Sequence, residues 1–195
     1  MTHFVCISGH AQNGKDTSAA MFKNELEAKG YSTLIVHYAD LLKYMCKTFF
    51  GWNGEKDEYG RTLLQKVGTD CIRQKEPDYW VDFVTKIVSL FPDEWDYIIV
   101  PDARFPNELT RIMEAGFPLT HIRVVRNEFI SPLTDEQKRH PSETALDNTE
   151  PDYWLFNKSL EQLREDVEEL CEVITTRPES ECVQMTIFDV LEESV

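Results

Sequence analysis

Short apolar runs alternate along this chain with stretches whose apolar positions follow a helical period. Each run reads as a strand buried on both faces: His3–Ser8 (HFVCIS), Thr33–Tyr38 (TLIVHY), Tyr97–Val100 (YIIV) and Leu119–Val125 (LTHIRVV), with Tyr153–Phe156 as a short fifth. The intervening stretches read as helices. Thr17–Lys29 sets Ala19, Phe22 and Leu26 on one stripe, and Ala39–Phe50 and Arg61–Ile72 follow the same period. Tyr79–Phe91 puts Trp80, Val84, Ile87, Val88 and Phe91 on one face, and Pro77 suits its first turn or the approach to it. A further helix runs through Glu108–Ala115. Ser159–Ile174 completes the pattern, with Leu160, Leu163, Val167 and Leu170 inward and a capping box from Ser159 and Gln162. Strands alternating with helices predict a three-layer α/β fold: a mainly parallel five-stranded sheet with helices on both faces.

Two stretches break the rhythm. Phe129–Glu150 has no apolar period and carries Pro132 and Pro141, as expected of a lid or binding loop. Arg177–Val195 falls outside the alternation. The expected organisation is one domain over residues 1–175, with a lid at about residues 127–150, and an acidic tail over residues 176–195.

Composition narrows the function. The chain has 195 residues, 42% hydrophobic and 28% charged, which suits one globular domain and excludes disorder throughout. Its 20 basic and 35 acidic residues give a net charge of −15. Sequence-independent duplex binding needs a basic surface, so no direct nucleic-acid partner is expected. A local positive pocket can still hold phosphates. No apolar run approaches the ~18 residues of a membrane span, and the N-terminus lacks the charged and apolar regions of a leader. A cytoplasmic protein without a membrane partner is therefore expected. The cysteines at 6, 46, 71, 171 and 182 form no Cys-x-x-Cys pair, and the five histidines show no ligand spacing. Buried reduced thiols fit better than structural zinc.

The strongest chemical signal is Gly9-His-Ala-Gln-Asn-Gly14-Lys15-Asp16-Thr17. It fits G-x-x-x-x-G-K between a strand and a helix, the context of a phosphate-binding P-loop. Glycines let successive N–H groups converge on phosphate oxygens, the helix N-terminus adds its dipole, and Lys15 supplies charge for the β- and γ-phosphates. The usual Ser/Thr after the lysine is Asp16 here. A carboxylate can hold Mg²⁺ but repels phosphate, and Thr17 can supply the hydroxyl instead.

The second signal is Tyr97-Ile-Ile-Val-Pro-Asp102-Ala-Arg104. An acidic residue just past a buried strand resembles the Walker B arrangement, and ligands sit at the carboxyl ends of such strands. Arg104 is then placed to grip a phosphate, unless Asp102 and Arg104 merely cap the next helix. At the end of the second strand, Asp40 either caps a helix or lines an acceptor site with Lys43. Arg61 and Gln65 share a helix face and suit a monophosphate and a base edge, or else form a plain solvated face. Lys138, Arg139 and His140 lie in the proposed lid, which could deliver charge late. There is no G-x-S-x-G and no GxGxxG, so neither serine–histidine hydrolysis nor dinucleotide-dependent oxidation is supported. Glu168-Glu169 reads as solvated helix surface.

Together these motifs make a pattern. The chain resembles the phage deoxynucleoside monophosphate kinases, within the adenylate-kinase-like P-loop superfamily. The resemblance rests on the GKDT loop at 14–17, Ala-Asp-x-Leu-Lys at 39–43 and Arg-x-x-Leu-Gln-x-x-Gly-Thr-Asp at 61–70. It continues through Trp80, Val-Pro-Asp-x-Arg at 100–104, Val-Val-Arg at 124–126, His140-Pro-Ser-Glu143-x-x-Leu146 and Asn157. Asp16 is then a feature of the group. Animal-type phosphomevalonate kinase shares a GKD loop, so the donor side is more firmly implied than the acceptor.

The resemblance implies a P-loop kinase fold with a lid and ATP-dependent phosphorylation of deoxynucleoside monophosphates with Mg²⁺. Gly9, Gln12, Asn13, Gly14, Lys15, Asp16 and Thr17 would hold the donor. Lys15, Arg104 and Arg126 would act in transfer. Asp40, Lys43, Arg61, Gln65, Asp102, Arg104 and Glu143 would line the acceptor site, and Asp16, Thr17 and Asp102 would serve the metal. Two alternatives stay open: a kinase of another acceptor, such as phosphomevalonate, gluconate or dephospho-coenzyme A, and a nucleotide-binding module without catalysis. The intact lysine and three arginines argue against the second. If the chain is phage-encoded, its compartment is the host cytoplasm. Whether it works as a homodimer is left open.

The tail holds one more pattern. Gln184-Met-Thr-Ile-Phe188 is an apolar island in the acidic segment Glu179–Val195, which has no Lys or Arg. It resembles the short bacterial sliding-clamp-binding peptide, and the alternative is docking on the protein's own surface.

Overall fold

The computed structural model describes residues 1–127, 129–131 and 133–176. Five strands, β1 (His3–Ser8), β2 (Thr33–Ile35), β3 (Tyr97–Val100), β4 (Leu119–Val125) and β5 (Tyr153–Phe156), form one sheet in the order β2-β3-β1-β4-β5. Every pairing is parallel. Val5 stands opposite Ile99 on one side and Thr120 on the other, so β1 lies at the centre.

The alternation along β1 sorts the core. Val5 and Ile7, with Ile99, Ile122, Val124 and Leu155, face one layer, made of α1 (Lys15–Ala28) and α8 (Leu160–Thr176). Phe4 and Cys6, with Ile98 and Val100, face the other. That layer holds α2 (Tyr38–Phe50), α4 (Tyr79–Leu90) and α5 (Pro106–Glu114). Ala19, Phe22 and Leu26 supply the predicted stripe of α1. Between α2 and α4 lies α3 (Glu58–Gln65), whose N-cap Asp57 accepts from Gly60 N at 2.7 Å.

The structure departs from the pattern in a few places, each with a local reason. The predicted Arg61–Ile72 helix widens into a π-helical stretch at Lys66–Arg73. There Gly68 lies so close to α2 that a Cβ would stand 2.6 Å from Leu42 Cδ2, and the Trp80 indole donates to Gly68 O at 3.2 Å. On α4, Trp80, Val81, Val84 and Val88 are buried, while Ile87 and Phe91 stand at the surface; the buried stripe is rotated toward Val81. Leu160 is exposed at the first turn of α8, and Cys171 and Ile174 extend the inward face at the other end. Ser159 Oγ accepts from Gln162 N, but the Gln162 amide turns to Asp166, so the capping box is only half formed. Of the four described cysteines, Cys71 is exposed and the rest are buried.

The segment expected as an irregular loop contains α6 (Asp135–Arg139) and α7 (Pro141–Thr144), with Leu133, Gln137 and Leu146 buried. Among the described residues no helix is long and apolar enough to cross a membrane. The tail reading at Gln184–Phe188 lies outside the described residues.

Candidate active site

The loop between β1 and α1 stands at the carboxyl end of the central strand, where the connections diverge to opposite sides of the sheet. Two glycines give it shape. Gly9 has φ +138°, and a Cβ there would lie 2.4 Å from Val124 O; Gly14 has φ +104°, and a Cβ would lie 2.4 Å from Asn157 Nδ2. Gln12 is also left-handed, at φ +63°. The loop is pinned from two later strands. Asn13 Nδ2 donates to Val124 O at 3.1 Å, and Asn157 Nδ2 donates to Asn13 O at 2.9 Å.

Lys15 is 8% exposed and its ammonium donates to Gly9 O at 2.8 Å and His10 O at 2.9 Å. Burial, with the nearby Arg104 charge, pushes its pKa down to about 7 against the pull of Glu143, Asp16 and Asp102. Lys15 therefore lies within the field of Arg104, Glu143, Asp16 and Asp102.

Toward α2, Asp102 caps a helix other than the one that follows it. Its two carboxylate oxygens accept from Tyr38 N and Ala39 N, both at 2.9 Å, at the start of α2. Asp40, in the first turn of α2, is hydrogen-bonded by the backbone of the N-cap residue His37; its Oδ1 also accepts from Lys43 Nζ at 2.8 Å, and its Oδ2 lies 3.5 Å from His37 Nδ1. Arg104 donates to Glu143 Oε1 at 2.7 Å and to Ser142 O at 3.1 Å. The other Glu143 oxygen accepts from Ala11 N at 3.0 Å, so one carboxylate spans the P-loop and the arginine. The turn carrying Arg104 is held by buried Glu108, which accepts from Arg104 N, Phe105 N and the Arg73 guanidinium.

His37 joins the two halves. Its Nε2 lies 3.0 Å from Asp16 Oδ1. That hydrogen bond holds the Asp16 carboxyl below its ordinary range and, with the charges of Asp102 and Asp40, raises the imidazole's pKa against the effect of burial.

On the far side of the loop, Gln12, Gly14, Asp16, Thr17, Arg126 and Asn157 line a cleft of about 430 Å³ that continues to Leu160. The Arg126 guanidinium lies 5.0 Å over the Phe129 ring. Arg61 and Gln65 are half-buried on α3, and among the described residues no hydrogen bond or ion pair links them to the loop. Lys138 pairs with Asp135, and His140 Nε2 lies 3.5 Å from Asp70 Oδ1. Arg123 anchors the segment after α7 by donating to Leu146 O and Asp147.

Sequence reasoning missed His37, which reads there as the end of strand TLIVHY. The signal was its place at a strand's carboxyl end. It also missed the bridge made by Glu143, which joins residues far apart in the chain.

Among the described residues no group of three or more His, Cys, Asp or Glu gathers into a metal cage. Asp16 and Thr17 offer oxygen donors at the first turn of α1, and both line the cleft. That donor set fits Mg²⁺, which takes one or two protein oxygens and completes its shell with water and substrate phosphates.

A family model described as deoxynucleotide monophosphate kinase matches residues 36–167. The deoxynucleotide monophosphate kinase of Enterobacteria phage T4 is 28% identical over 126 residues, 63% of this chain and 49% of that protein. The chain thus spans about half the length of that relative. Among solved structures, a Chloroflexus aurantiacus protein superposes with a TM-score of 0.53 at 13% identity, over 91% of this chain and 99% of that one. A sugar kinase from a Janibacter species does so with a TM-score of 0.52 at 15% identity, over 89% and 94%. These two likenesses concern the fold.

Proposed function

The chain belongs to the deoxynucleotide monophosphate kinase family, and on that premise we propose that it transfers the γ-phosphoryl group of ATP to deoxynucleoside monophosphates, giving diphosphates. The observation that carries this reading is the cluster of Lys15, Arg104 and Glu143 between a P-loop and the carboxyl end of β3. Transfer between two phosphates needs positive charge on both sides of the moving group and no enzyme nucleophile.

The loop amides from Gly9 to Gly14 and the Lys15 ammonium hold the donor phosphates. Lys15 is already aimed into the loop through its bonds to Gly9 O and His10 O, and it exchanges those carbonyls for phosphate oxygens. The cleft beyond Gly14 has a volume suited to a small ligand, and Arg126 and Asn157 receive the rest of the donor nucleotide there. Arg104 binds the acceptor phosphate on the opposite side. Glu143 orients Arg104 and stands beside the Ala11 amide as the anionic partner that the substrate phosphates displace. Asp40, Lys43, Arg61 and Gln65 line the acceptor side on α2 and α3, where the nucleoside is read.

Asp16 and Thr17 would hold Mg²⁺, which when bound would neutralise charge on the donor phosphates, while Asp102 behind them fixes the start of α2. An acceptor phosphate oxygen forms a bond to the γ-phosphorus as the bond to the β–γ bridging oxygen breaks, and ADP departs. The residues contribute position and fixed charge.

A coupled ADP-release assay over deoxynucleoside and ribonucleoside monophosphates, phosphomevalonate, gluconate and dephospho-coenzyme A tests the reading. Turnover should be concentrated on the deoxynucleotides. Turnover on one of the other acceptors, with none on any deoxynucleotide, overturns it.

A further inference from the structure

The P-loop carries a carboxylate, Asp16, where a hydroxyl is usual. Its side chain is 82% exposed. An aspartate so placed, left to itself, samples several rotamers, and some of them bring its charge toward incoming phosphate. One group restrains it. His37 leaves β2 in extended conformation and becomes the N-cap residue of α2. Its ring is 28% exposed, and its Nε2 lies 3.0 Å from Asp16 Oδ1. A carboxylate only accepts, so Nε2 carries the hydrogen and donates it. The ring is itself oriented from behind: Nδ1 lies 3.5 Å from Asp40 Oδ2, and Asp40 is held by Lys43 Nζ at 2.8 Å. The backbone of α2 beneath the ring is fixed in turn by the two bonds from Tyr38 N and Ala39 N to Asp102. A relay of fixed groups thus runs from β3 and α2 to the first turn of α1, and Asp16 is its end point.

We propose that His37 is the positioning residue of Asp16: its Nε2–H holds the carboxylate in one rotamer, leaves the second carboxylate oxygen for the cation of the donor nucleotide, and keeps the charge off the path of the acceptor phosphate. The inference rests on the kinase reading above. It assigns to His37 the task that partners of metal ligands commonly have, and loss of such partners costs about 10- to 100-fold in metal affinity or activity.

Two substitutions separate this role from packing. His37→Phe keeps a ring of similar size without the donor. His37→Gln restores an amide N–H within reach of the carboxylate. ATP binding to the full chain is measured by calorimetry with and without Mg²⁺, beside turnover and thermal melting. His37→Phe should melt near the wild type and bind ATP alone as the wild type does. It should lose about 10- to 100-fold in both Mg²⁺-dependent ATP affinity and kcat. His37→Gln should recover most of both. Wild-type MgATP affinity in His37→Phe overturns the proposal, and so does an equal loss in both variants that extends to ATP without Mg²⁺. Wild-type protein that binds MgATP but turns over no monophosphate refutes the kinase reading alone, because the binding comparison still stands.

Discussion

Replacing Gly14 by alanine tests whether the loop's shape is set by contacts from the far end of the chain. The substitution has two costs. At φ +104° an alanine sits in the left-handed region, which costs roughly 1–2 kcal/mol. Its methyl group would also stand 2.4 Å from Asn157 Nδ2. Asn157 must swing away and give up its 2.9 Å bond to Asn13 O, at about 0.5–1.5 kcal/mol. Alanine stiffens the unfolded chain and returns about 0.4–1 kcal/mol. The net is near 2 kcal/mol, which for a chain of this length lowers Tm by about 4–8 °C. Thermal melts of four proteins isolate the contact: wild type, Gly14→Ala, Asn157→Ala and the double variant. With Asn157 already truncated the clash is gone, so Gly14→Ala should cost about 1 kcal/mol less in that background. An unchanged Tm in Gly14→Ala, or an equal cost in both backgrounds, refutes the reasoning.

Other expectations follow from the same geometry. Asp102→Ala leaves the amides of Tyr38 and Ala39 without their charged acceptor, so it should destabilise the fold by roughly 1–3 kcal/mol, read by urea unfolding. Arg104→Ala should lower kcat/KM for the monophosphate by about 10- to 150-fold, the scale of a hydrogen bond to a charged group, and change ATP affinity far less. An equal loss of ATP affinity would move Arg104 to the donor side. Lys15 has a pKa of about 7 in the fold against 10.5 without it, so between those values the unfolded chain binds more protons than the folded one. Stability of the ligand-free protein should therefore rise with pH through that window, and Lys15→Met should remove the slope in denaturant titrations.

The sheet was legible because β1, β3 and β4 are buried on both faces and leave unbroken apolar runs. β2 was misjudged at its end, since Val-His-Tyr continues the apolar alternation while Asp102 starts α2 at Tyr38. A cap supplied from another strand leaves no local mark. The π-helical stretch was hidden for a similar reason, as Lys66–Arg73 keeps a near-helical period and only its packing against Leu42 and Trp80 shows the widening. Lys15, Asp16, Asp102 and Arg104 were legible as motif positions. What Glu143 and His37 do depends on partners 132 and 21 residues away, and spacing along the chain does not encode such pairings.

The central position of β1 also governs the order in which this protein can come into being. Its two hydrogen-bonding neighbours begin at Tyr97 and Leu119, so roughly ninety residues must be made after Ser8 before β1 can pair at all. At ribosomal rates of about 5–20 residues per second, that is a wait of roughly 5 to 20 seconds with an apolar strand unsheltered. The loop waits longer still. Its two anchors, Val124 O and the Asn157 side chain, arrive later, and parallel pairing is slow to nucleate even when its strands are present. A nascent chain or proteolytic fragment that stops short of residue 119 therefore carries the loop sequence without either of the loop's two later anchors.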